Sequence, residues 1–170
     1  AIKNAKGKYL AFCDSDDLWK VNKLENQLHF MQKMDINFSY TSYDIINYLG
    51  DKIGSRKANK EIKFKQLLRS CDIGLSTVIL KKKIIDDLNI SFPNIKTKED
   101  YVFWLHLSKS GIQMMGLNEN LTSWRKLDNS LSSSLVQKIY DGYKVYRVYL
   151  RFSLVKSLFY LFLLSVNFLF

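Results

Sequence analysis

The stretch Tyr9–Trp19, YLAFCDSDDLW, ends a short apolar run in three aspartates out of four residues. Residues Tyr9–Cys13 have the length and composition of a buried strand. Asp14, Asp16 and Asp17 would then follow the carboxyl end of that strand, which is where open α/β sheets bind ligands. Carboxylates this crowded repel one another, so they usually hold a counter-charge. The stretch therefore predicts an α/β fold with a cationic ligand at one sheet edge.

The composition of the 170-residue chain favours a folded, basic protein. Hydrophobic residues make up 47% and aromatic residues 14%, which is enough for a packed core. The formal net charge of +10 indicates anionic partners. Because no nucleic-acid-reading motif or clustered basic stripe occurs, we expect no nucleic-acid partner. Cys13 and Cys71 lack metal-ligand spacing and are expected to be reduced.

Apolar periodicity predicts helices and strands along the whole chain. Strands are expected at residues 9–13, 36–46, 77–80 and 112–117, and helices at 21–34, 64–70 and 82–88. Residues 50–62 and 118–134 are expected to be polar connections. Thr97 is the expected N-cap of a further helix, and Gly111 is its expected stop.

The end of the chain, Val145–Phe170, is aromatic and aliphatic and contains no acidic residue. Its uncharged part, Ser157–Phe170, is shorter than the roughly 20 residues that span a bilayer. Basic residues precede this part, and an anionic leaflet attracts such a segment. We therefore expect an apolar helix that lies on a membrane surface. The alternative is a helix that packs on the core or on a partner chain.

Spacing distinguishes four interpretations of the acidic cluster. A calcium loop of the EF-hand type fails, because Leu18 and Trp19 occupy a ligand position and the glycine position. A phosphatase of the haloacid-dehalogenase type also uses Asp-x-Asp after a strand, but its usual continuation is absent. A solvated turn that caps the next helix stays open. The fourth interpretation is a divalent metal held for a nucleotide diphosphate, whose departing charge the metal would neutralise.

Several segments in order carry a family resemblance. They are AIKNAKGKYLAFCDSDDLWKVNKLENQL (1–28), FSYTSYDII (38–46), GLSTVILKKKII (74–85), KTKEDYVFWLHLSKSG (96–111) and LTSWRKLDNSLSSS (121–134). Together they resemble the inverting glycosyltransferases of family 2, the GT-A type that builds bacterial surface glycans. The resemblance implies part of a GT-A, Rossmann-like sheet with flanking helices, followed by the C-terminal apolar helix.

The resemblance also suggests a division of the chain. Residues 1–134 match the C-terminal part of the GT-A domain, and residues 135–170 would be a helical, membrane-associated segment. The family's opening strand and its first donor-binding motif have no counterpart in the sequence. We therefore expect the chain to be a fragment of a longer protein.

Donor-side roles follow from the matched motifs. The Asp-x-Asp pair corresponds to Asp14 and Asp16, with Asp16 the more direct ligand of Mn²⁺ or Mg²⁺ and Asp14 nearer the donor. Asp17 is expected to support the loop. Where many relatives carry a late histidine this chain has none, and Arg125 or Lys126 is expected to neutralise the diphosphate instead.

Acceptor-side roles fall on one predicted helix. Asp100 matches the family's catalytic base, with Glu99 beside it, and such a carboxylate would take the proton from an acceptor hydroxyl. Both acids also suit the first turn of a helix for dipole reasons alone. Trp104 would share a helical face with Asp100 and could stack on an acceptor sugar, although an aromatic residue there also suits a core.

The resemblance predicts an enzyme that transfers a sugar, with inversion, from a nucleotide-diphosphate donor to a glycan or lipid-linked acceptor. We expect it at the cytoplasmic face of the cell membrane, in the synthesis of surface polysaccharide. The alternative from another class is a non-catalytic, membrane-associated interaction module.

Overall fold

The computed structural model describes residues 2–127 and 135–169. Within these ranges seven strands form one mixed sheet. The strands are β1 Tyr9–Ala11, β2 Leu18–Trp19, β3 Phe38–Ile46, β4 Lys52–Arg56, β5 Glu61–Ile62, β6 Ile79–Lys81 and β7 Met114–Arg125. The helices are α1 Lys23–Lys33, α2 Phe64–Leu67, α3 Lys82–Leu88, α4 Glu99–Lys109, α5 Leu135–Lys144 and α6 Leu154–Leu169, with a π-helical segment at Val145–Tyr149 and 3₁₀ turns at Ile2–Asn4 and Leu75–Thr77.

The long parallel pair β3 and β7 forms the centre of the sheet, whose order is β1-β6-β3-β7-β2. The shorter strands pair antiparallel with this framework. The predicted α/β class is confirmed, and the predicted helices α1, α2 and α3 form close to their expected positions. The strand predicted at residues 9–13 is shorter and ends at Ala11.

The predicted polar connections were wrong in part. Residues 50–62 contain β4, which pairs with β3, and β5, which pairs with β7. β7 continues through the polar residues 118–125, although residues 128–134 of that prediction lie outside the described ranges. These strands are largely polar because they face solvent on at least one side, and their backbone pairing within the sheet outweighs their low strand propensity.

The predicted N-cap of α4 was also wrong. Helix α4 begins at Glu99, and its N-cap is Lys98, in a left-handed conformation with φ +67° and no side-chain capping bond. The Thr97 hydroxyl instead donates to Asp141 Oδ2 at 2.9 Å. The predicted stop is confirmed, since Gly111 follows the helix with φ +86°.

The core forms where α4 packs on the sheet. Six residues of this helix are buried, namely Tyr101, Val102, Phe103, Trp104, Leu105 and Leu107. The C-terminal segment joins the same core through Val145, Tyr146, Leu150 and Leu164. Part of the apolar C-terminal segment therefore packs on the protein, as in the alternative expectation. Over the described part of the chain, no helix combines the length and apolarity that crossing a membrane requires.

A buried polar network joins α1 to the sheet and to the turn at 75–77. Lys23 is fully buried, and its ammonium donates to Gln27 Oε1 at 2.6 Å and to the Thr77 carbonyl at 3.2 Å. The Gln27 amide donates to the same carbonyl and to Ser39 Oγ, each at 2.9 Å. Burial, the largest cause, lowers the pKa of Lys23 to about 8. The network fixes α1 at the cost of a desolvated cation.

Substitution of Lys23 by Met tests this cost. The ordinary pKa of Lys23 is 10.5, and in the folded protein it is about 8. Between these two pH values the unfolded chain binds more protons than the folded protein. The free energy of unfolding of the wild type therefore rises with pH in this range. From pH 7 to pH 10 the wild type should gain on the order of 2 kcal/mol of unfolding free energy relative to Lys23→Met. Urea titrations of the full-length protein and its variant at pH 7, 9 and 10 measure this difference. Parallel pH slopes would contradict the prediction.

Candidate active site

A cavity of about 160 Å³ brings the acidic loop and the start of α4 together. Asp14 and Asp17 line it from the loop, and Asp100 lines it from the helix. Thr122 and Trp124 of β7 contribute to its wall. The fold thus places three carboxylates that are distant in the sequence around one space.

The turn Leu75–Thr77 positions the acidic loop. The Asp14 amide donates to Ser76 Oγ at 2.9 Å, and the Trp19 indole donates to the Ser76 carbonyl at 2.8 Å. Strand β2 follows the loop directly and separates it from α1, whose N-cap is Asn22. The acidic loop therefore does not cap the next helix, and that alternative was wrong.

Arg125 secures the other side of the loop. Its backbone amide donates to Asp17 Oδ1, and its Nε donates to the Asp16 carbonyl, both at 2.9 Å. Its Nη1 donates to the carbonyls of Asn47 and Tyr48 in the β3–β4 turn, again at 2.9 Å. This arrangement makes Arg125 a positioning residue for the acidic loop, a role the sequence did not indicate.

Negative charge is concentrated in the acidic loop. Desolvation, followed by the charges of Asp17 and Asp16, raises the pKa of Asp14. Burial also raises the pKa of Asp17, although hydrogen bonds from the Ser76 side chain and from the Arg125 amide act to lower it. Asp17 Oδ2 is buried and has no hydrogen-bond partner among the described residues. A cation next to the loop would relieve this repulsion.

The residues present fit a divalent ion held partly by substrate. The loop supplies carboxylate oxygens, the donor type that Mg²⁺ and Mn²⁺ prefer. The described ranges contain no group of three acidic, histidine or cysteine side chains placed to ligate a metal. Asp16 is exposed and does not line the cavity. An ion here would therefore take one or two protein ligands and complete its shell with diphosphate or water.

Asp100 has the electrostatic character of a base. Desolvation, followed by the negative charge of Glu99, raises the pKa of Asp100 to about 6. Its Oδ1 accepts a hydrogen bond from the Tyr101 amide at 2.7 Å, and this bond acts to lower the pKa. A carboxylate with a pKa near the working pH is well matched to proton abstraction.

The C-terminal segment fixes the helix that carries Asp100. The Tyr101 hydroxyl donates to the Leu67 carbonyl at 2.6 Å and lies 3.1 Å from the Tyr146 hydroxyl. Asp141 Oδ2 accepts from both the amide and the hydroxyl of Thr97. Although burial acts to raise it, hydrogen bonds from Gln137 and Thr97 hold the pKa of Asp141 below its ordinary value. The sequence showed no local signal for the roles of Asp141 and Tyr146.

Five predicted site residues do not line this cavity, namely Asp16, Glu99, Trp104, Arg125 and Lys126. Trp104 is fully buried among Phe12, Phe38, Phe92 and Phe103, so the proposed stacking on an acceptor sugar was wrong. The apolar side of α4 faces the core, and Trp104 belongs to that side.

Glu99 is half-buried at the start of α4, and its charge acts on the cavity through Asp100. Lys126 is exposed, and its backbone amide pairs with the Ile46 carbonyl.

A family model described as Glycosyl transferase family 2 matches residues 1–88, about half of the chain and including the whole acidic loop. The chain belongs to this family. Membership favours the diphosphate interpretation of the acidic loop over the phosphatase interpretation.

Curated relatives of this family 2 chain include TuaG of Bacillus subtilis, a putative teichuronic acid biosynthesis glycosyltransferase. It is 35% identical over 158 residues, which cover 92% of this chain and 62% of TuaG. WfaP of Escherichia coli, a UDP-Glc:α-D-GlcNAc-diphosphoundecaprenol β-1,3-glucosyltransferase, is 39% identical over 141 residues, covering 82% of this chain and 54% of WfaP. The chain thus spans less than two thirds of the length of these relatives.

The fold is that of a known GT-A structure. The crystal structure of residues 1–349 of Staphylococcus aureus TarS in complex with UDP-GlcNAc matches with a TM-score of 0.67 and 19% identity. The match covers 87% of this chain and 43% of the TarS chain. The family 2 chain therefore has the partial GT-A fold that its sequence predicted.

Proposed function

We propose that the full-length protein transfers a sugar, with inversion, from a nucleotide-diphosphate donor to a lipid-linked or glycan acceptor of surface polysaccharide. One observation carries this proposal: Asp14 of the Asp-x-Asp pair and Asp100 line the same cavity. TarS was crystallised with UDP-GlcNAc, and WfaP is named for a UDP-Glc donor and a diphosphoundecaprenol acceptor. These relatives support a UDP-sugar donor and a lipid-linked acceptor for this chain.

Asp100 acts as the base in this proposal. Its carboxylate takes the proton of an acceptor hydroxyl while that oxygen attacks the anomeric carbon of the donor. The bond to the diphosphate breaks on the opposite face, which inverts the configuration. Desolvation suits Asp100 to this step, because it raises the pKa to about 6 and strengthens the base.

Asp16 and Asp14 would hold Mn²⁺ or Mg²⁺ together with the donor diphosphate. The bound ion would stabilise the negative charge of the leaving diphosphate. Asp17 and Arg125 keep the loop in shape, since Asp17 Oδ1 accepts from the Arg125 amide and the guanidinium binds the Asp16 carbonyl. The two ligand aspartates are thereby presented on a fixed turn.

The variant Asp16→Asn tests the metal assignment. Loss of one carboxylate charge should lower transfer in Mn²⁺ or Mg²⁺ by about 100-fold or more, because transition-state charge is no longer balanced. Transfer from UDP-sugars by the full-length protein, with and without chelator, measures the effect. Asp35→Asn, an exposed aspartate just beyond α1, is the matched control and should retain wild-type rates. Unchanged, metal-dependent transfer by Asp16→Asn would remove Asp16 from the site.

The pH profile tests Asp100. Because the base must be deprotonated, kcat/KM should fall below a pH of about 6 in the wild type. Asp100→Asn should lower transfer by about 10²- to 10⁴-fold while UDP-sugar binding persists. Glu99→Gln removes the like charge that raises the pKa of Asp100, so its acid limb should move to lower pH. An acid limb that stays in place or moves upward in Glu99→Gln would contradict the assignment.

We further propose that the C-terminal helices rest on the cytoplasmic face of the cell membrane. Helix α6 exposes an apolar stripe of five residues, Leu154, Val155, Leu158, Phe159 and Phe162. Arg147, Arg151 and Lys156 lie in or next to the same segment. An apolar stripe next to cations matches the chemistry of an anionic lipid surface.

Vesicle sedimentation tests membrane binding. The full-length protein should bind vesicles that contain phosphatidylglycerol more tightly than vesicles of phosphatidylcholine alone, because of its basic C-terminal segment. The double variant Phe159→Glu/Phe162→Glu should bind at least 10-fold more weakly. Tyr48→Glu, at an exposed aromatic residue in the β3–β4 turn, serves as the control. Equal binding by both variants would exclude α6 as the contact.

A further inference from the structure

The cavity between the acidic loop and α4, at about 160 Å³, is small for a whole nucleotide-sugar. Pockets that enclose a drug-sized ligand span roughly 300–1,000 Å³, whereas a cavity of about 150 Å³ holds one six-membered ring. In the proposed reaction the diphosphate leaves at the acidic loop, and the attacking oxygen loses its proton to Asp100. The sugar that is transferred therefore lies between Asp14 and Asp100, and the cavity has the size of that ring.

An aromatic wall faces this space from the sheet. Tyr43 of β3 and Thr122 and Trp124 of β7 line the cavity. Tyr43 is in register with Thr122 across the parallel pair, and Thr122 shares a face of β7 with Trp124 because side chains alternate along a strand. Trp124 is 40% exposed. Much of its indole is thus open to a ligand in the cavity.

The strand on both sides of Trp124 is anchored. The Arg125 amide donates to Asp17 Oδ1 at 2.9 Å, and the Thr122 hydroxyl donates to the Ser76 carbonyl at 3.2 Å. The indole is therefore mounted on a fixed backbone beside the acidic loop. A ligand that contacts it pays little for ordering the protein.

The charge of the cavity wall is one-sided. Three carboxylates line it, and none of the described residues that line it is a lysine, an arginine or a histidine. The Arg125 guanidinium donates to backbone carbonyls outside the cavity. Desolvation and Glu99 raise the pKa of Asp100 more strongly than Lys98 lowers it. A metal ion at the loop would be balanced by the donor diphosphate, so no cation is left for an anionic sugar.

We propose that this cavity selects uncharged donor sugars over uronates, with Trp124 and Tyr43 as specificity-determining residues. The carboxylates accept hydrogen bonds from the sugar hydroxyls, and the C–H groups of the ring face meet the negative face of the indole. A uronate would add a fourth carboxylate to three that already repel one another. The inference rests on the proposed function, since it takes Asp100 as the base and the acidic loop as the diphosphate site.

The position of the cavity favours the donor sugar over two other rings. Ribose and diphosphate separate the nucleobase from the anomeric carbon, so the base cannot lie beside Asp100 when that carbon does. An acceptor sugar approaches from the side of Asp100 and does not extend to Asp14. The donor sugar alone has to contact both ends of the cavity.

Matched donors test the selection by charge. UDP-glucose, UDP-galactose and UDP-GlcNAc are each compared with the counterpart that carries a carboxylate at C6, using turnover by the full-length protein in Mn²⁺. In the pair that is turned over fastest, the uronate should show a kcat/KM about 100-fold lower, because like charges in one site repel. A uronate used as well as its uncharged counterpart would overturn the inference.

An added cation tests whether the cavity wall sets this preference. Tyr43→Lys should reduce the preference for the uncharged donor about 10-fold, because its ammonium attracts the uronate. Ile53→Lys adds the same charge at an exposed position of β4 outside the cavity, and it should keep the wild-type preference. Trp124→Lys repeats the test at a more exposed position of the same wall. A preference unchanged in both cavity variants, or changed equally in Ile53→Lys, would contradict the assignment.

Calorimetry locates the sugar against Trp124. Trp124→Leu should weaken binding of the preferred UDP-sugar about 10-fold and leave binding of UDP unchanged, because UDP lacks the sugar. Trp124→Phe keeps an aromatic face and should restore most of the affinity. Equal weakening of UDP would assign Trp124 to the nucleotide, and a raised KM for the acceptor alone would assign it to the acceptor sugar; each result would overturn the inference.

Donor turnover keeps this inference separate from the proposed function. If the wild-type protein turns over UDP-sugars without regard to their charge, only the selection for uncharged sugars fails. If it turns over no nucleotide-sugar, the proposed function fails and the inference fails with it.

Discussion

The short turn Leu75–Thr77 is the point on which the rest of the site depends. Its Ser76 accepts hydrogen bonds from the Asp14 amide, from the Trp19 indole and from Thr122 Oγ1. Its Thr77 carbonyl accepts from the buried Lys23 ammonium. One three-residue turn therefore satisfies donors from the acidic loop, β2, β7 and α1. Since buried donors are costly when unpaired, these four elements are held in a single arrangement.

The sequence predicted those helices and strands whose own residues carry a pattern of apolar side chains. Helix α1 and strand β3 carry apolar residues at the period of their own structure, and both form near the expected positions. Strands β4 and β5 are short and mostly polar, and they exist because β3 and β7 supply backbone partners. β4 shows no apolar alternation of its own, and no local pattern encodes a partner as distant in the chain as β7 is from β5. The same reason explains why β7 continues past its apolar half.

The candidate site was predicted unevenly for a related reason. Asp14 and Asp100 sit in recognisable motifs, and the fold places both around one cavity. Arg125 was expected to face diphosphate, but its Nε binds the carbonyl of Asp16, 109 residues away. Asp141 had no motif at all, although it is fully buried and accepts two hydrogen bonds from Thr97. Asp14 and Asp100 were predicted because their sequence neighbours form motifs, whereas Arg125 and Asp141 contact residues that are distant in the sequence.

The two hydrogen bonds between Asp141 and Thr97 limit which sequence changes this protein tolerates. The C-terminal segment is tied through these bonds to the residue just before Lys98 and the start of α4. If recombination exchanged the C-terminal helices alone, either the buried carboxylate of Asp141 or the Thr97 donors would lose their hydrogen-bond partners. Thr97 and Asp141 are therefore expected to change together. A chimera of related chains must take both residues from the same parent to fold.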